Sequence, residues 1–268
     1  MHPQLSLHPA ATGDLSLDDD LALCRRVGLA RTSLSMKKII AAGPLPAALR
    51  RIRDSGVAVT FVIPEPVGFN LAEPQSWPQA RDQIGAGLHV AAETGAQALF
   101  TTGGSGQGLP FEAAAEAFAR AFEPLFAEAK RRGLRVLFEP VRTQFAHLGF
   151  VHTFADSVTL SRRHGMQIAF DLTHCWWEPG LHRLLAENHD LIGTLQFADL
   201  DFNQPITARV NLGDGQLPIR ELLQAALPAG YTGSFDLELI GPAIVAEGYD
   251  AAFKRAGAYL ERLLPPAP

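Results

Sequence analysis

The chain has 268 residues, of which 47% are hydrophobic and 19% charged, and its formal net charge is -5. A chain of this length can bury a sizeable core and suits one large α/β domain. Its acidic balance, with Lys and Arg scattered singly or in short groups, argues against a nucleic-acid ligand.

Cysteine usage and hydropathy predict the cellular compartment. The two cysteines, Cys24 and Cys175, lie far apart and form no CxxC motif, so neither a disulfide framework nor a structural zinc site is indicated. The first residues, "MHPQLSLHPA", do not resemble a secretory leader, and no run of about 18 apolar residues occurs. We therefore expect a cytoplasmic protein that acts on a small molecule, without nucleic-acid or membrane partners. The sequence leaves open whether it forms a homo-oligomer.

Short apolar runs rich in β-forming residues alternate along the chain with longer segments of helical period. The predicted strands, in chain order, are "QLSLH" near Leu5, "RTSLSM" at 31–36, "VAVTFVI" at 57–63, "AQALFTT" at 96–102, "LRVLFE" at 134–139, "QIAFD" at 167–171, "IGTLQF" at 192–197 and "SFDLEL" at 234–239. Eight strands joined by helices in about 250 residues are typical of a (β/α)8 TIM barrel. The sequence thus predicts an α/β protein with a single TIM barrel domain over residues 1–268.

Four of the later strands end with a side chain that offers oxygen, and each is preceded by a large apolar residue. The oxygen-bearing residues are Glu139, Asp171, Gln196 and Glu238, and the apolar residues before them are Phe138, Phe170, Leu195 and Leu237. Because strand side chains alternate between faces, apolar residues that point toward the helices leave all four polar side chains in the barrel mouth. Active sites of TIM barrels lie at this C-terminal end.

Three carboxylates in one poorly solvated mouth repel one another unless they are protonated or neutralised, and a divalent cation is the usual remedy. A ligand set made only of oxygen favours Mn²⁺ or Mg²⁺, although Co²⁺ and Zn²⁺ also fit such a site. The alternative is that single members of the set pair with an Arg or cap the next helix. The common register of the four strand ends favours the metal site.

Further candidates surround these strand ends. His8, at the end of the first strand, is predicted to contact substrate if it faces the mouth, although a lone His is more often packed or hydrogen-bonded. Trp176, followed by Trp177, is predicted to form a substrate-binding wall, with ordinary aromatic packing as the alternative. Arg142 in the loop after Glu139 would bind an anionic group or lie in solvent. The Gly-rich segment 101–108, "TTGGSGQG", lacks a P-loop pattern and is predicted to be a flexible loop.

Residues 134–241 resemble the xylose-isomerase-like (β/α)8 barrels, a family that includes sugar isomerases and epimerases, inosose and 3-dehydroshikimate dehydratases, and endonuclease IV. The stretch "DLTHCWW" is similar to the family's Asp-x-x-His, and "ARVNLGDG" at 208–215 to its Arg followed by a Gly-x-Gly loop. This resemblance implies metal ligands at Glu139, Asp171, Gln196 and Glu238. It also implies that His174 and Arg209 bind substrate oxygens. The His-rich zinc site of endonuclease IV has no counterpart in this chain.

The family's chemistry implies that Glu139 and Glu238 move a proton to and from the carbon next to a carbonyl group, while the metal polarises that carbonyl. We therefore expect a metal-dependent isomerase or epimerase of a small keto-sugar or hydroxy-carbonyl compound. If the same carbanion expels a β-hydroxyl, the enzyme is instead a dehydratase of an inosose- or 3-dehydroshikimate-like compound. A third hypothesis is a non-catalytic barrel that binds a sugar or a protein.

Overall fold

A computed structural model of the protein describes residues 1–204, 208–228 and 230–266. The strands are β1 Leu5–Leu7, β2 Arg31–Ser35, β3 Ala58–Ile63, β4 Ala98–Thr101, β5 Arg135–Phe138, β6 Gln167–Asp171, β7 Ile192–Phe197, β8 Asp199–Asp201, β9 Ala208–Val210 and β10 Ser234–Leu237. The α-helices are α1 Leu17–Val27, α2 Met36–Ala41, α3 Leu45–Asp54, α4 Trp77–Thr94, α5 Phe111–Arg131, α6 Phe154–His164, α7 Leu172–Cys175, α8 Leu181–Glu187, α9 Ile219–Ala226, α10 Pro242–Glu247 and α11 Tyr249–Glu261. Short 3₁₀ helices span Pro74–Ser76, Thr143–Phe145 and His189–Leu191.

Eight parallel strands close into a barrel in the order β1-β10-β7-β6-β5-β4-β3-β2. Each predicted strand is present, and the predicted (β/α)8 TIM barrel is confirmed. No helix in the described part of the chain is long and apolar enough to cross a membrane. The single domain over residues 1–268, the cytoplasmic location and the absence of nucleic-acid partners stay predictions.

The barrel interior and the layer between barrel and helices form separate hydrophobic clusters. The interior cluster is built from strand residues alone, namely Phe61, Ala98, Phe100, Leu137 and Ala169. The residues that alternate with them on β5 and β6, such as Phe138 and Phe170, belong to the cluster that includes the helices. This alternation fixes the direction of the next side chain at each strand end.

Local sequence signals set the boundaries of the helix that leads into β6. Thr153 caps the N-terminus of α6, where its side chain accepts a hydrogen bond from the backbone of Asp156. Gly165 ends the helix with φ of 67°, in the left-handed region that favours glycine. Two residues later β6 begins and carries the chain to Asp171 at the barrel mouth.

An antiparallel hairpin follows β7 and was not among the predicted strands. It consists of β8 and β9, in which Leu200 pairs with Arg209. The Asp199 carboxylate accepts hydrogen bonds from the backbone of Gly213, Gly215 and Leu217, at 3.1, 3.2 and 2.9 Å. Asp199 thereby fixes the Gly-x-Gly loop against the hairpin that holds Arg209.

Candidate functional site

The strand ends bring the predicted ligands to the barrel mouth. Asp171 and Gln196 are the final and penultimate residues of β6 and β7, and they face each other in the strand register. Glu139 and Glu238 follow directly after β5 and β10. All four residues are at most 8% exposed. The barrel thus places four polar groups in a poorly solvated space at its C-terminal end.

A group of three side chains at this end could hold a metal ion. Glu139, Asp171 and His174 each offer one ligand atom, and these atoms lie within 4.8 Å of one another. His174 Nε2 is 3.4 Å from Asp171 Oδ2 and 3.8 Å from Glu139 Oε1. Asp171 also caps the short helix α7, because its Oδ1 accepts a hydrogen bond from Thr173 N at 2.7 Å. This cap turns His174 back over Asp171.

The other two predicted metal ligands, Gln196 and Glu238, contact each other. Glu238 lies outside the group of three, and Gln196 donates a hydrogen bond from Nε2 to Glu238 Oε2 at 3.1 Å. His174, predicted to bind substrate oxygens, lies beside the carboxylates of Glu139 and Asp171. The guanidinium of Arg209 lies between Asp171 and Glu238 and contacts both. The four-residue ligand set stays a prediction.

Arg209 is the counter-ion of the buried carboxylates. Its Nη2 lies 2.5 Å from Asp171 Oδ2, and its Nη1 lies 3.1 Å from Glu238 Oε1 and donates a hydrogen bond to the Glu238 carbonyl oxygen. Its side chain is only 9% exposed. Arg209 therefore carries a buried charge that two carboxylates neutralise.

The buried carboxylates differ in their acidity. Burial, followed by the charges of Glu238 and Asp171, raises the pKa of Glu139 well above its ordinary value. Burial also raises the pKa of Glu238 to about 7, although Arg209 opposes this shift. Burial alone would raise the pKa of Asp171, but Arg209 and His174 outweigh it and lower that pKa to about 2. Asp171 is thus the carboxylate that stays ionised.

Several buried polar atoms near the carboxylates lack hydrogen-bond partners among the described residues, and Gln196 Oε1 and His174 Nδ1 are two of them. Burial lowers the pKa of His174 to about 4, so its imidazole is neutral at pH 7 and able to bind a metal. A buried acceptor without a donor is the kind of atom that a cation would satisfy. These residues therefore fit a divalent ion.

His8 lies below the carboxylates, next to a residue that the sequence reasoning missed. Asp236 points into the barrel two residues before Glu238, is fully buried, and accepts hydrogen bonds from the hydroxyls of Ser6 and Ser33. His8 lies 4.0 Å from Asp236 Oδ2 through Nε2 and 4.0 Å from Glu238 Oε1 through Nδ1. The two-residue step to Glu238 is the sequence signal that could have identified Asp236.

A cavity of about 600 Å³ opens beside the two glutamates. Its lining includes Glu139, Glu238 and His8, and elsewhere it is largely apolar, with Ile63, Val67, Phe100, Leu148, Leu15 and Leu17 among its walls. Such a cavity is large enough for a small metabolite. Lys37, Lys38 and Asp18 also line it, so the cavity combines charged groups with mainly apolar walls.

Trp176 does not line this cavity. It stacks on Phe202 with ring centroids 4.8 Å apart and contacts Trp177 edge to face. Together with Arg142, these aromatic residues line a separate cleft of about 240 Å³. The predicted substrate wall at Trp176 thus lies outside this cavity.

The Gly-rich loop is packed rather than exposed. Residues 101–106 are buried, and short parallel bridges join Ser105 to Asn70 and Gly104 to Gly149. A Cβ built on Gly104 would lie 2.1 Å from the Phe69 carbonyl oxygen. The loop therefore differs from the predicted flexible one, because its glycines let neighbouring backbones approach closely.

Three solved structures share this architecture at low sequence identity. They are the IolI protein with a bound zinc atom (15% identity, 97% of each chain, TM-score 0.82), D-psicose 3-epimerase with D-tagatose from Clostridium cellulolyticum H10 (11%, 97% of each chain, 0.74), and the probable 3-DHS dehydratase AsbF from Bacillus anthracis (13%, 96% of this chain and 98% of that one, 0.74). At these identities the likeness concerns the fold.

Sequence comparison establishes the family. No curated protein matches the chain. The sequence model of the xylose isomerase-like TIM barrels matches residues 24–261, which is most of the chain. The chain therefore belongs to the xylose isomerase-like TIM barrel family.

Proposed function

We propose that this protein is a divalent-metal-dependent isomerase or epimerase of a small keto-sugar or hydroxy-carbonyl compound. The observation that carries the proposal is the pair of buried glutamates, Glu139 and Glu238, which line one cavity and have raised pKa values. Carboxyl groups whose pKa values are raised toward 7 are suited to exchange protons with carbon acids near pH 7. The D-psicose 3-epimerase of similar fold supports this reaction class.

The metal would be held by Glu139, Asp171 and His174, with Gln196 Oε1 and Glu238 as further ligands. When bound, such an ion supplies a Lewis acid that polarises the substrate carbonyl and stabilises negative charge on its oxygen. Carboxylates suit Mn²⁺ and Mg²⁺, whereas imidazole suits later transition metals such as Zn²⁺. The inclusion of His174 therefore favours Mn²⁺ over Mg²⁺, with Co²⁺ and Zn²⁺ as further ions to be tested.

The proton transfers are assigned to the two glutamates. One removes the proton from the carbon next to the carbonyl, and the other returns a proton to the neighbouring carbon or to the opposite face of the same carbon. The pKa of Glu238, about 7, suits a group that gains and loses a proton at neutral pH. Arg209, which contacts Asp171 and Glu238, is placed to donate hydrogen bonds to substrate oxygens.

The experiment is a screen of hydroxy-ketones, hydroxy-aldehydes and keto-sugars with Mn²⁺ present, followed by variants of the two glutamates. We expect Glu139→Gln and Glu238→Gln each to lower turnover by at least about 100-fold, the contribution typical of a general acid or base. Glu116→Gln, on the exposed face of α5, serves as the control and should retain activity. Full activity in a folded, metal-loaded Glu139→Gln or Glu238→Gln protein would contradict the assignment.

Dehydration is the second candidate, and the apolar cavity walls favour it. Side chains such as Val67, Phe100 and Leu148 suit the carbon skeleton of a cyclic compound better than an open-chain polyol. The probable dehydratase of similar fold also supports this reaction. Product mass separates the two candidates, because a dehydratase product is lighter by one water molecule whereas an isomerase product keeps the substrate mass.

A further inference from the structure

Arg142 is a buried cation without a partner among the described residues. It follows β5 and Glu139 by a short turn and precedes the 3₁₀ helix Thr143–Phe145. The residue is only 8% exposed, and its Nε is buried without a hydrogen bond. Within residues 1–204, 208–228 and 230–266, no carboxylate forms an ion pair with its guanidinium, and no side-chain hydrogen bond satisfies it.

This isolation is unusual for a buried charge. Arginine is almost never buried unless it is paired, because removing its charge from water is costly. Arg209 shows the ordinary solution in the same barrel mouth, since two carboxylates neutralise it. Burial and the charge of Arg209 lower the pKa of Arg142, and the opposing charges of Asp171 and Glu238 do not outweigh them, yet an arginine side chain stays protonated in proteins. A bound anion would supply the ion-pair partner that the described residues do not.

The surroundings of Arg142 hold its guanidinium in place without competing for it. The guanidinium carbon lies 5.3 Å from the centroid of the Phe145 ring, within range of a cation–π contact. The cleft of about 240 Å³ that Arg142 lines contains Thr143, Gln144, Trp176, Trp177, Leu200 and Phe202. None of these residues is acidic, so the cleft offers a fixed positive charge with polar and aromatic walls.

Arg142 is linked to the candidate metal ligands through one aromatic ring. The Phe145 ring that contacts Arg142 also contacts the His174 ring, with centroids 5.6 Å apart. One aromatic side chain therefore separates Arg142 from the group that contains Glu139 and Asp171. The charges of Asp171 and Glu238 also act on Arg142. We therefore place an anion at Arg142 on the same molecule whose other end meets those carboxylates.

We propose that Arg142 binds an oxyanion of the substrate, a carboxylate or a phosphate, in the cleft walled by Trp176 and Phe202. The planar guanidinium suits both anions, because its N–H groups match two oxygens at once. This inference rests on the proposed function and narrows its substrate to anionic hydroxy-carbonyl compounds. In this proposal the cleft binds the part of the substrate that does not react.

Binding of simple anions tests the inference without turnover. The protein would be titrated with inorganic phosphate and, separately, with acetate at low ionic strength, with tryptophan fluorescence as the readout because Trp176 and Trp177 line the cleft. We expect a saturable change for at least one anion, loss of at least tenfold in affinity in Arg142→Met, and a smaller loss in Arg142→Lys. Arg50→Met, on the exposed side of α3, is the control and should bind as the native protein does. The anion that binds with the higher affinity, phosphate or acetate, identifies the anionic group of the substrate.

The melting temperature of Arg142→Met distinguishes a binding role of Arg142 from a structural role. Because Arg142→Met removes an unpaired buried charge, we expect its melting temperature to equal or exceed that of the native protein. A clear drop would overturn the inference, as would anion binding that survives in Arg142→Met or is absent from the native protein. If the anions bind as expected but no hydroxy-carbonyl compound turns over, the inference stands and the proposed reaction fails.

Discussion

Replacing Arg209 with Met would remove the counter-ion of two buried carboxylates. In the folded protein the pKa of Asp171 is about 2, against an ordinary value of 3.8, largely because Arg209 opposes the effect of burial. A lowering of this size corresponds to roughly 2–3 kcal/mol of stability at neutral pH. Loss of one partner from a buried ion pair typically costs about 3–5 kcal/mol. We therefore expect a loss of about 3 kcal/mol, or about 6–12 °C in melting temperature for a domain of this size.

The sign of the pH dependence follows from the same shift. A lowered pKa stabilises the fold above the ordinary pKa of 3.8, and this contribution is lost as pH falls through about 2. Without Arg209, burial would raise the pKa of Asp171, and the carboxyl would take up a proton at moderately acidic pH. The difference between native and Arg209→Met proteins should thus be larger at pH 8 than at pH 5.5.

Thermal unfolding of EDTA-treated protein, followed by circular dichroism at both pH values, measures this effect. Arg255→Met is the matched control, because Arg255 also bridges two carboxylates, Asp214 at 2.6 Å and Glu247 at 2.7 Å. That side chain is 41% exposed, so its loss should cost less than about 1 kcal/mol. Equal melting temperatures for the two variants, or a pH-independent loss in Arg209→Met, would refute the reasoning.

Two further predictions concern the metal and the Gly-rich loop. Because metal ligands must be deprotonated and the pKa of Glu238, a proposed further ligand, is about 7, Mn²⁺ binding to the EDTA-treated protein should release protons and strengthen as pH rises through about 7. Calorimetry in two buffers of different ionisation enthalpy measures this release, and identical heats would contradict it. Gly104→Ala should destabilise the fold by about 3 kcal/mol in urea unfolding, because its Cβ would meet the Phe69 carbonyl oxygen at a φ of 92°. Gly108→Ala, with a φ of 85° but open space around it, should cost only about 1 kcal/mol, and equal losses would show that packing is not the cause.

The barrel could be predicted from the sequence because each strand carries its own signal. Apolar runs of about five residues, separated by helical segments, indicated all eight barrel strands. The predicted ends of each strand lie within two residues of the observed ends. The same alternation predicted that Glu139 and Asp171 share a face, since Phe138 and Phe170 point toward the helices. The spacing of apolar residues is a local property of the chain, and it can therefore be recognised without knowledge of the tertiary structure.

The contacts within the mouth could not be predicted in the same way. Arg209 reaches Asp171 and Glu238 only because the hairpin of β8 and β9 folds back over the barrel, and strands of three residues give too short a pattern to recognise. The isolation of Arg142 likewise depends on which side chains surround it in space. Ion pairs and unsatisfied groups are products of tertiary structure, and sequence spacing does not fix them.

Hydrogen exchange at carbon tests the central claim most directly. Hydroxy-carbonyl substrates, including anionic ones, would be incubated in D₂O with the Mn²⁺-loaded protein and followed by proton NMR. The proposed chemistry predicts that at least one compound loses the proton signal next to its carbonyl and that Glu139→Gln and Glu238→Gln proteins do not catalyse this loss. Retention of that signal in every compound, by a protein shown to hold Mn²⁺, would contradict the account.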